Sequence, residues 1–169
     1  QERLGTMMHA YHEIDGVPCM ASRELLTEIL RDEWGFDGIV VADYDGINEL
    51  VVSHQVTDDP AVAAAMTLRA GLDQELPRTL AYGEPLHHAL ERGLVDEATL
   101  DLAVERVLRV KFELGLFEEP YADPEGASLD LDDERAHALA SARKSIVLLE
   151  NDGILPLSTD LRTVAVLGP

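Results

Sequence analysis

Cysteine, lysine and aromatic residues are scarce in this chain, and long apolar runs are absent. The single cysteine, Cys19, excludes an internal disulfide framework and a multi-cysteine metal site, so we expect it to be a small packed side chain. No stretch approaches the roughly 18 continuous apolar residues of a membrane-spanning helix. The only lysines, Lys111 and Lys144, fall in helical patterns, which argues against a Schiff-base lysine at a strand end.

Positive charge is also in short supply, with 13 Lys and Arg residues against 33 Asp and Glu residues and a formal net charge of −20. Such a surface repels nucleic acids and anionic membranes, so we expect neither as a partner. A neutral substrate such as a sugar suits the chain better. The alternative interpretation is that the acidity only keeps the protein soluble.

Neither end of the 169 residues resembles the natural edge of a domain. Residues 1–4 run into an apolar stretch without an initiator Met, and residues 164–169 follow a strand-like run directly. We therefore expect a segment of a larger protein. A cytoplasmic location is favoured slightly, and secretion is the alternative because the true N-terminus is expected to lie upstream.

Hydrophobic periodicity predicts strands that alternate with helices, which indicates an α/β fold with a parallel sheet. A first helix is expected to begin after Ser22 and to end at Gly35, and a buried β-branched strand follows at 39–42. Asp59-Pro60 is a typical helix start. The other predicted elements are a strand within 4–10, a turn at 13–18, a helix closed by Gly71, a strand at 72–76 and helices at 84–92 and 96–114.

The chain changes character from Phe117 to about Asp132, where acidic residues, Pro and Gly occur without an apolar period. This composition predicts a linker. A helix at 133–144 and strands at 146–149 and 163–167 are predicted beyond it, with a turn at 151–153 between the two strands. We interpret these elements as the opening of a second α/β domain.

Asp43 follows the predicted strand at 39–42 directly. The carboxyl ends of parallel strands are where a (β/α)8 barrel carries its catalytic groups, so Asp43 is a catalytic candidate. A strand-end Asp also serves as a turn former or a helix cap, and these alternatives stay open. Asp45 and Glu49 are candidates to cap a following helix, and Tyr44 is a candidate for ordinary packing.

Ordered sequence blocks extend over nearly the whole chain, at Met7–Pro18, Leu25–Gly38, Val40–Tyr44, Ala70–Asp73, Arg106–Phe117, Ser145–Asn151 and Ile154–Leu157. Together they resemble the signature of glycoside hydrolase family 3. Each block alone is a weak signal, but their number and order make an accidental match improbable.

The resemblance implies the later part of a (β/α)8 barrel at 1–116, a linker at 117–132 and the start of an α/β sandwich domain at 133–169. It implies a retaining, exo-acting β-glycosidase that removes terminal non-reducing β-D-glucosyl residues from a small carbohydrate substrate, without cofactor or metal. It is also compatible with a homo-oligomer. A β-xylosidase of the same family is one alternative. A non-catalytic sugar-binding homologue is another, against which the presence of Asp43 argues.

The resemblance also implies roles for four residues. Asp43 matches the family nucleophile, which must be ionised, so we expect hydrogen-bond donors around it. Tyr11 matches a tyrosine close to the nucleophile, and Met8 matches a residue that lines the same pocket. Many members carry Ser before the nucleophile and Trp after it. Ala42 and Tyr44 stand there in this chain, which implies a smaller aromatic wall for the leaving group.

Other family positions fall outside the sequence. The substrate-clamping residues are expected upstream, and the Glu that acts as general acid/base is expected downstream of Pro169. Among the histidines, His9 and His12 are candidates to touch substrate. His87 and Glu91 stand four residues apart, and we interpret them as a solvated helix face in preference to a metal site.

We predict that residues 1–169 alone do not hydrolyse aryl β-glycosides, because the segment lacks the first barrel strands and the acid/base. An opened barrel also exposes strand edges, which favours aggregation. Release of p-nitrophenol from p-nitrophenyl β-glucoside measures this, with the full-length enzyme as the control. Turnover by the purified segment near the full-length rate would refute the prediction.

Overall fold

A computed structural model of the chain describes residues 4–126 and 131–167. The chain divides into two compact units, residues 1–121 and 122–169. The predicted linker at 117–132 overlaps the boundary between the units, and its residues 127–130 lie outside the described part. A short 3₁₀ turn at Pro124–Gly126 is the regular structure in the described portion of that linker.

The first unit alternates strands and helices as the periodicity predicts. Its strands are β1 (Thr6–Met8), β2 (Glu13–Ile14), β3 (Val17–Pro18) and β4 (Ile39–Val41), and a 3₁₀ turn (Cys19–Ala21) and a π-helix (Glu24–Glu33) separate β3 from β4. Its α-helices are α1 (Gly46–Val52), α2 (Pro60–Ala70), α3 (Glu84–Glu91) and α4 (Glu97–Glu113). The mixed α/β fold is therefore confirmed.

The first unit contains a parallel sheet formed by β1 and β4. β1 pairs with β4 so that Thr6 lies opposite Ile39 and Met8 lies opposite Val41. On the other side of β4, residues 72–74 run in the same direction, and the Ala42 amide donates to the Gln74 carbonyl at 2.7 Å. The predicted strand at 72–76 is thus present only as this short pairing. The carboxyl ends of all three segments lie at one edge of the sheet.

Helix α2 forms the centre of the buried core. Asp59 caps its first turn, where the Asp59 Oδ1 accepts from the Ala61 amide at 2.9 Å, and Gly71 ends it with a φ of 110°. A Cβ added at Gly71 would lie 2.7 Å from the Thr27 hydroxyl, so the backbone approaches the π-helix closely there. The small side chains of α2 permit the same close packing along its length. Its buried alanines are Ala61, Ala63, Ala64, Ala65 and Ala70.

The helix predicted after Ser22 has the wider π form. Its last hydrogen bond joins the Trp34 amide to the Ile29 carbonyl, five residues earlier, at 3.0 Å. The Ser22 hydroxyl accepts from the Leu25 amide at 3.3 Å, and Gly35 ends the helix with a φ of 70°, both as expected. Trp34, however, is 72% exposed, although the periodicity places it on the apolar face.

A buried ion cluster joins four segments of the first unit. The Asp73 carboxylate accepts from Arg31 of the π-helix at 2.5 Å and from Arg106 of α4 at 2.9 Å. The same carboxylate accepts from the Val40 amide of β4 at 2.8 Å, while the Asp73 amide donates to the Val40 carbonyl at 2.8 Å. Since the Asp73 side chain is 0% exposed, both arginines depend on it for their charge compensation.

Three details differ from the sequence-based expectations. The predicted turn at 13–18 is a hairpin, in which β2 and β3 flank Asp15 and Gly16 at φ values of 51° and 79°. An Asp-Gly pair with two positive φ values is a favoured two-residue hairpin turn. Asp45 occupies the N-cap of helix α1 without a side-chain capping hydrogen bond, and Glu49 lies inside the helix, so neither side chain caps it as expected. Helix α4 ends at Glu113 and buries only Ala103, and Leu114, inside the predicted helix at 96–114, lies beyond this end and is 67% exposed.

The second unit contains the helix α5 (Asp132–Ser145), close to the predicted 133–144. Asn151 forms the predicted turn, because its Oδ1 accepts from the Gly153 amide at 3.2 Å and from the Leu155 amide at 3.1 Å. The predicted strands at 146–149 and 163–167 are wrong for this structure, which has no strand there. A strand requires a partner for its backbone groups, and these residues are exposed.

We predict that Asp73→Asn lowers the free energy of unfolding by about 3–5 kcal/mol, because it removes the buried carboxylate that pairs with the largely buried Arg31 and the partly buried Arg106. Urea denaturation measures the change. Glu28→Gln is the matched control, since the Arg23–Glu28 pair is more than half exposed and is expected to contribute below about 1 kcal/mol. Equal losses in the two variants would contradict a structural role for the Asp73 cluster.

Candidate active site

Asp43 lies in the turn that follows β4, at the carboxyl edge of the parallel sheet. Its side chain is partly exposed, and its Oδ1 accepts from the Tyr44 amide at 2.6 Å. The Asp43 carbonyl accepts from the Gly46 amide at 2.9 Å, and Asp45 between them has a positive φ of 57°. This tight turn fixes the Asp43 carboxylate next to a backbone donor.

Tyr11 crosses from the end of β1 to the Asp43 turn. Its phenol donates to the Tyr44 carbonyl at 2.6 Å. Loss of hydration raises the pKa of Tyr11, and the adjacent Asp43 carboxylate raises it further, so the phenol keeps its proton. Tyr44 itself is 63% exposed, which leaves its ring free to meet another molecule. The structure thus brings three predicted site residues together.

His54 links the segment of Tyr11 to the end of α1. Its Nδ1 lies 2.8 Å from Glu13 Oε1, and its Nε2 lies 2.8 Å from the Tyr11 carbonyl oxygen. The side chain of His54 is only 11% exposed. These contacts hold the hairpin of β2 and β3 against the segment that begins at Asp43.

His9 packs beneath the same turn. Its side chain is buried, its Nδ1 lies 3.0 Å from the Ala10 carbonyl, and a Cβ added at Gly46 would lie 2.7 Å from the ring atoms Cε1 and Nε2. Burial lowers the pKa of His9, although the Ala10 carbonyl and the Asp43 carboxylate act in the opposite direction. His9 therefore supports the turn from below. The other proposed substrate contact among the histidines, His12, is exposed.

The loop after the third parallel segment completes the rim of this edge. The Asp45 amide donates to the Leu76 carbonyl at 3.1 Å, and Arg78 Nη2 lies 3.8 Å from Asp45 Oδ1. Both side chains are well exposed. A guanidinium therefore stands at the rim close to the carboxylate of Asp43's neighbour, where it partly offsets the local negative charge.

Met8 lies on the strand adjacent to Asp43 and is 51% exposed. It lines an apolar groove of about 150 Å³ together with Leu25, Ile29 and Trp34. Within the described part of the chain, Asp43 is not a lining residue of that groove. The role of Met8 beside the sugar stays a prediction.

Residues 4–126 and 131–167 contain neither a metal-binding cluster nor a membrane-spanning helix. No three His, Cys, Asp or Glu side chains gather there in a way that could hold a metal ion. His87 and Glu91 form an exposed pair at 3.4 Å on α3. No helix in the same residues is long and apolar enough to cross a membrane.

Cys19 is buried, which raises the pKa of its thiol, in agreement with the packed side chain that we expected.

These observations define an α/β chain with a candidate nucleophilic carboxylate at the carboxyl edge of its parallel sheet. The model of the glycosyl hydrolase family 3 N-terminal domain matches residues 1–110. The chain therefore belongs to glycosyl hydrolase family 3.

Three relatives carry β-glucosidase or β-xylosidase names. The chain is 39% identical to a lysosomal β-glucosidase of Dictyostelium discoideum, with 98% of the chain and 21% of that protein covered. It is 38% identical to a periplasmic β-glucosidase of Salmonella typhimurium over 98% of the chain and 22% of that protein. It is 40% identical to a putative β-xylosidase of Formosa agariphila over 96% of the chain and 22% of that protein.

Solved structures give the same result. A β-glucosidase from Erythrobacter marinus superposes with a TM-score of 0.76 at 42% identity, over 89% of this chain and 20% of that one. A Listeria innocua β-glucosidase in complex with glucose superposes with a TM-score of 0.75 at 36% identity, over 89% and 21%. This chain thus spans about a fifth of the length of the proteins that it matches.

We predict that Gly46→Ala destabilises the protein by about 1–3 kcal/mol, because the new methyl group overlaps the buried His9 ring. Gly5→Ala is the control, since a Cβ at Gly5 meets no atom within 4 Å. Urea denaturation measures the free energy of unfolding of Gly46→Ala, Gly5→Ala, His9→Ala and the His9→Ala/Gly46→Ala double variant. A loss at Gly46 that persists unchanged in the His9→Ala background would contradict the steric explanation.

Proposed function

We propose that the protein carrying this chain is a retaining, exo-acting β-glucosidase with Asp43 as its nucleophile. The observation that carries the proposal is the Asp43 carboxylate at the carboxyl edge of the parallel sheet, beside the Tyr11 phenol and held by the Tyr44 amide. Family membership and the glycosidase names of the relatives support it. The Listeria structure that contains glucose supports a small carbohydrate as the substrate.

The proposed reaction has two displacements. The Asp43 carboxylate attacks the anomeric carbon, the bond to the leaving-group oxygen breaks, and that oxygen takes a proton from a carboxylic acid roughly 5–5.5 Å from the nucleophile. Water then attacks the same carbon, gives a proton to the second carboxylate and releases Asp43. As the resemblance implies, we place that second carboxyl group on a Glu downstream of Pro169, and the relatives, of which this chain covers about a fifth, are long enough to carry it.

Each remaining site residue has a part in this scheme. We assign Tyr11 to the orientation of Asp43 and to the border of the sugar subsite, Met8 to the wall of the same pocket and Tyr44 to the leaving group. The assignment to Tyr44 is supported by its 63% exposure beside the nucleophile. We further propose that residues 1–116 are the later part of a (β/α)8 barrel, that 117–132 are a linker and that 133–169 open an α/β sandwich domain.

The second candidate function is a β-xylosidase of the same family. The Formosa relative, named a putative β-xylosidase, is as similar to this chain as the named β-glucosidases are. We favour glucose slightly, and the residues that would meet a C6 hydroxymethyl group are expected mostly outside this chain. The relatives named lysosomal and periplasmic show two compartments used by the family, and a cytoplasmic location for this protein stays a prediction.

We predict that full-length Asp43→Gly loses at least about a thousandfold of its kcat/KM on aryl β-glucosides, since no carboxylate attacks the sugar. Azide should restore part of the rate on activated substrates by entering the vacated space, and the glycosyl azide should have inverted configuration. Proton NMR, followed over time, measures both the rate at which the glycosyl azide forms and its configuration. Asp45→Asn is the matched control and should retain activity. An Asp43→Gly enzyme of near-normal activity without azide would refute the assignment.

We predict that Tyr44→Trp in the full-length enzyme changes the preference among leaving groups more than the preference between glucose and xylose. A larger ring at the exposed Tyr44 position should stack on the aglycone and leave the bound sugar unaffected. Values of kcat/KM across aryl glucosides and aryl xylosides test this. A constant ranking of leaving groups with a reversed sugar preference would show that Tyr44 is placed wrongly.

A further inference from the structure

His54 occupies a place that the proposed chemistry leaves without a role. It follows α1, and its amide donates to the Glu49 carbonyl at 2.9 Å, so its backbone is fixed to the end of that helix. Helix α1 begins at Gly46, and its residues Ile47 and Leu50 are fully buried. His54 is therefore part of a rigid segment whose other end is the Asp43 turn.

The imidazole of His54 reaches from this segment to the one that carries Tyr11. Its two ring nitrogens lie 2.8 Å from the Glu13 carboxylate and 2.8 Å from the Tyr11 carbonyl. Both partners accept hydrogen bonds, so each contact is one that a ring N–H can donate, and the two contacts join the end of α1 to the Tyr11–Glu13 segment.

Tyr11 is thereby held at two points. Its carbonyl accepts from His54, and its phenol donates to the Tyr44 carbonyl at 2.6 Å, next to Asp43. Tyr11 itself is 42% exposed, so packing alone does not fix its position. His54, at 11% exposure, is the more buried member of the pair and supplies the anchor.

We propose that His54 is a positioning residue, which sets the distance between the Tyr11 phenol and the Asp43 carboxylate by joining the end of α1 to the Tyr11–Glu13 segment. This inference rests on the proposed function. Misplacement of a catalytic group by about 1 Å can lower a rate by about a hundredfold, so the loss of this anchor should slow the step in which Asp43 attacks the sugar.

The test is a kinetic double-mutant cycle in the full-length enzyme with His54→Ala, Tyr11→Phe and the double variant. The readout is the rate of covalent trapping by a 2-deoxy-2-fluoro glycoside with a good leaving group, because it reports the first displacement alone. We expect His54→Ala to lower this rate at least tenfold with Tyr11 present and less than threefold in the Tyr11→Phe background. His88→Ala, an exposed histidine of α3, is the control and should stay within twofold of the wild type.

A role in stability alone would give a different pattern. Equal losses of trapping rate in the two backgrounds, or no loss in either, would overturn the positioning role. Trapping of the wild-type enzyme would still support the proposed function in that case. A wild-type enzyme that neither hydrolyses nor is trapped would overturn the proposed function, and this inference with it. If His54→Ala does not fold, His54→Gln replaces it in the same cycle, because Gln keeps one donor for the Tyr11 carbonyl. We expect His54→Gln to lower the trapping rate by an intermediate factor. Equal losses in both backgrounds would again overturn the positioning role.

Discussion

The architecture of the first unit depends on one buried carboxylate. Asp73 compensates Arg31 of the π-helix and Arg106 of α4, and it pairs with Val40 of β4 through both its side chain and its backbone. A single group therefore fixes the order and spacing of two helices and two parallel segments. Because removal of one partner from a buried ion cluster costs several kcal/mol, the elements around it cannot shift independently.

That constraint also positions the site at the carboxyl end of the same strand. Val40 is held by Asp73 in the middle of β4, and Asp43 follows three residues later at the carboxyl edge. The turn itself is stabilised by Gly46 packed on His9, and Tyr11 is brought to it by the bonds to His54 and Tyr44. The position of the candidate nucleophile thus follows from packing and hydrogen bonds that no single sequence element contains.

Local signals in the sequence predict local structure well. Helix α2 begins at Asp59-Pro60 and ends at Gly71 because the cap, the proline and the positive φ act within a few residues. The bounds of helix α1 are not predicted, because Gly46 at its start is a poor helix former and the helix is stabilised by tertiary burial. The strands expected at 146–149 and 163–167 need partners that these residues lack here.

The contacts of His54 span 41 and 43 residues, which no motif reveals. The resemblance to a known family, by contrast, predicts Asp43, Tyr11 and Tyr44 as site residues, and the fold brings these three residues together.

The central claim is that Asp43 forms a covalent bond to the sugar. Its most direct test is to trap the full-length enzyme with a 2-deoxy-2-fluoro glycoside, whose fluorine slows both displacements, and to map the labelled peptide by mass spectrometry. We expect the added mass on Asp43. A label on Asp45, Glu49 or Glu13 instead would contradict the account.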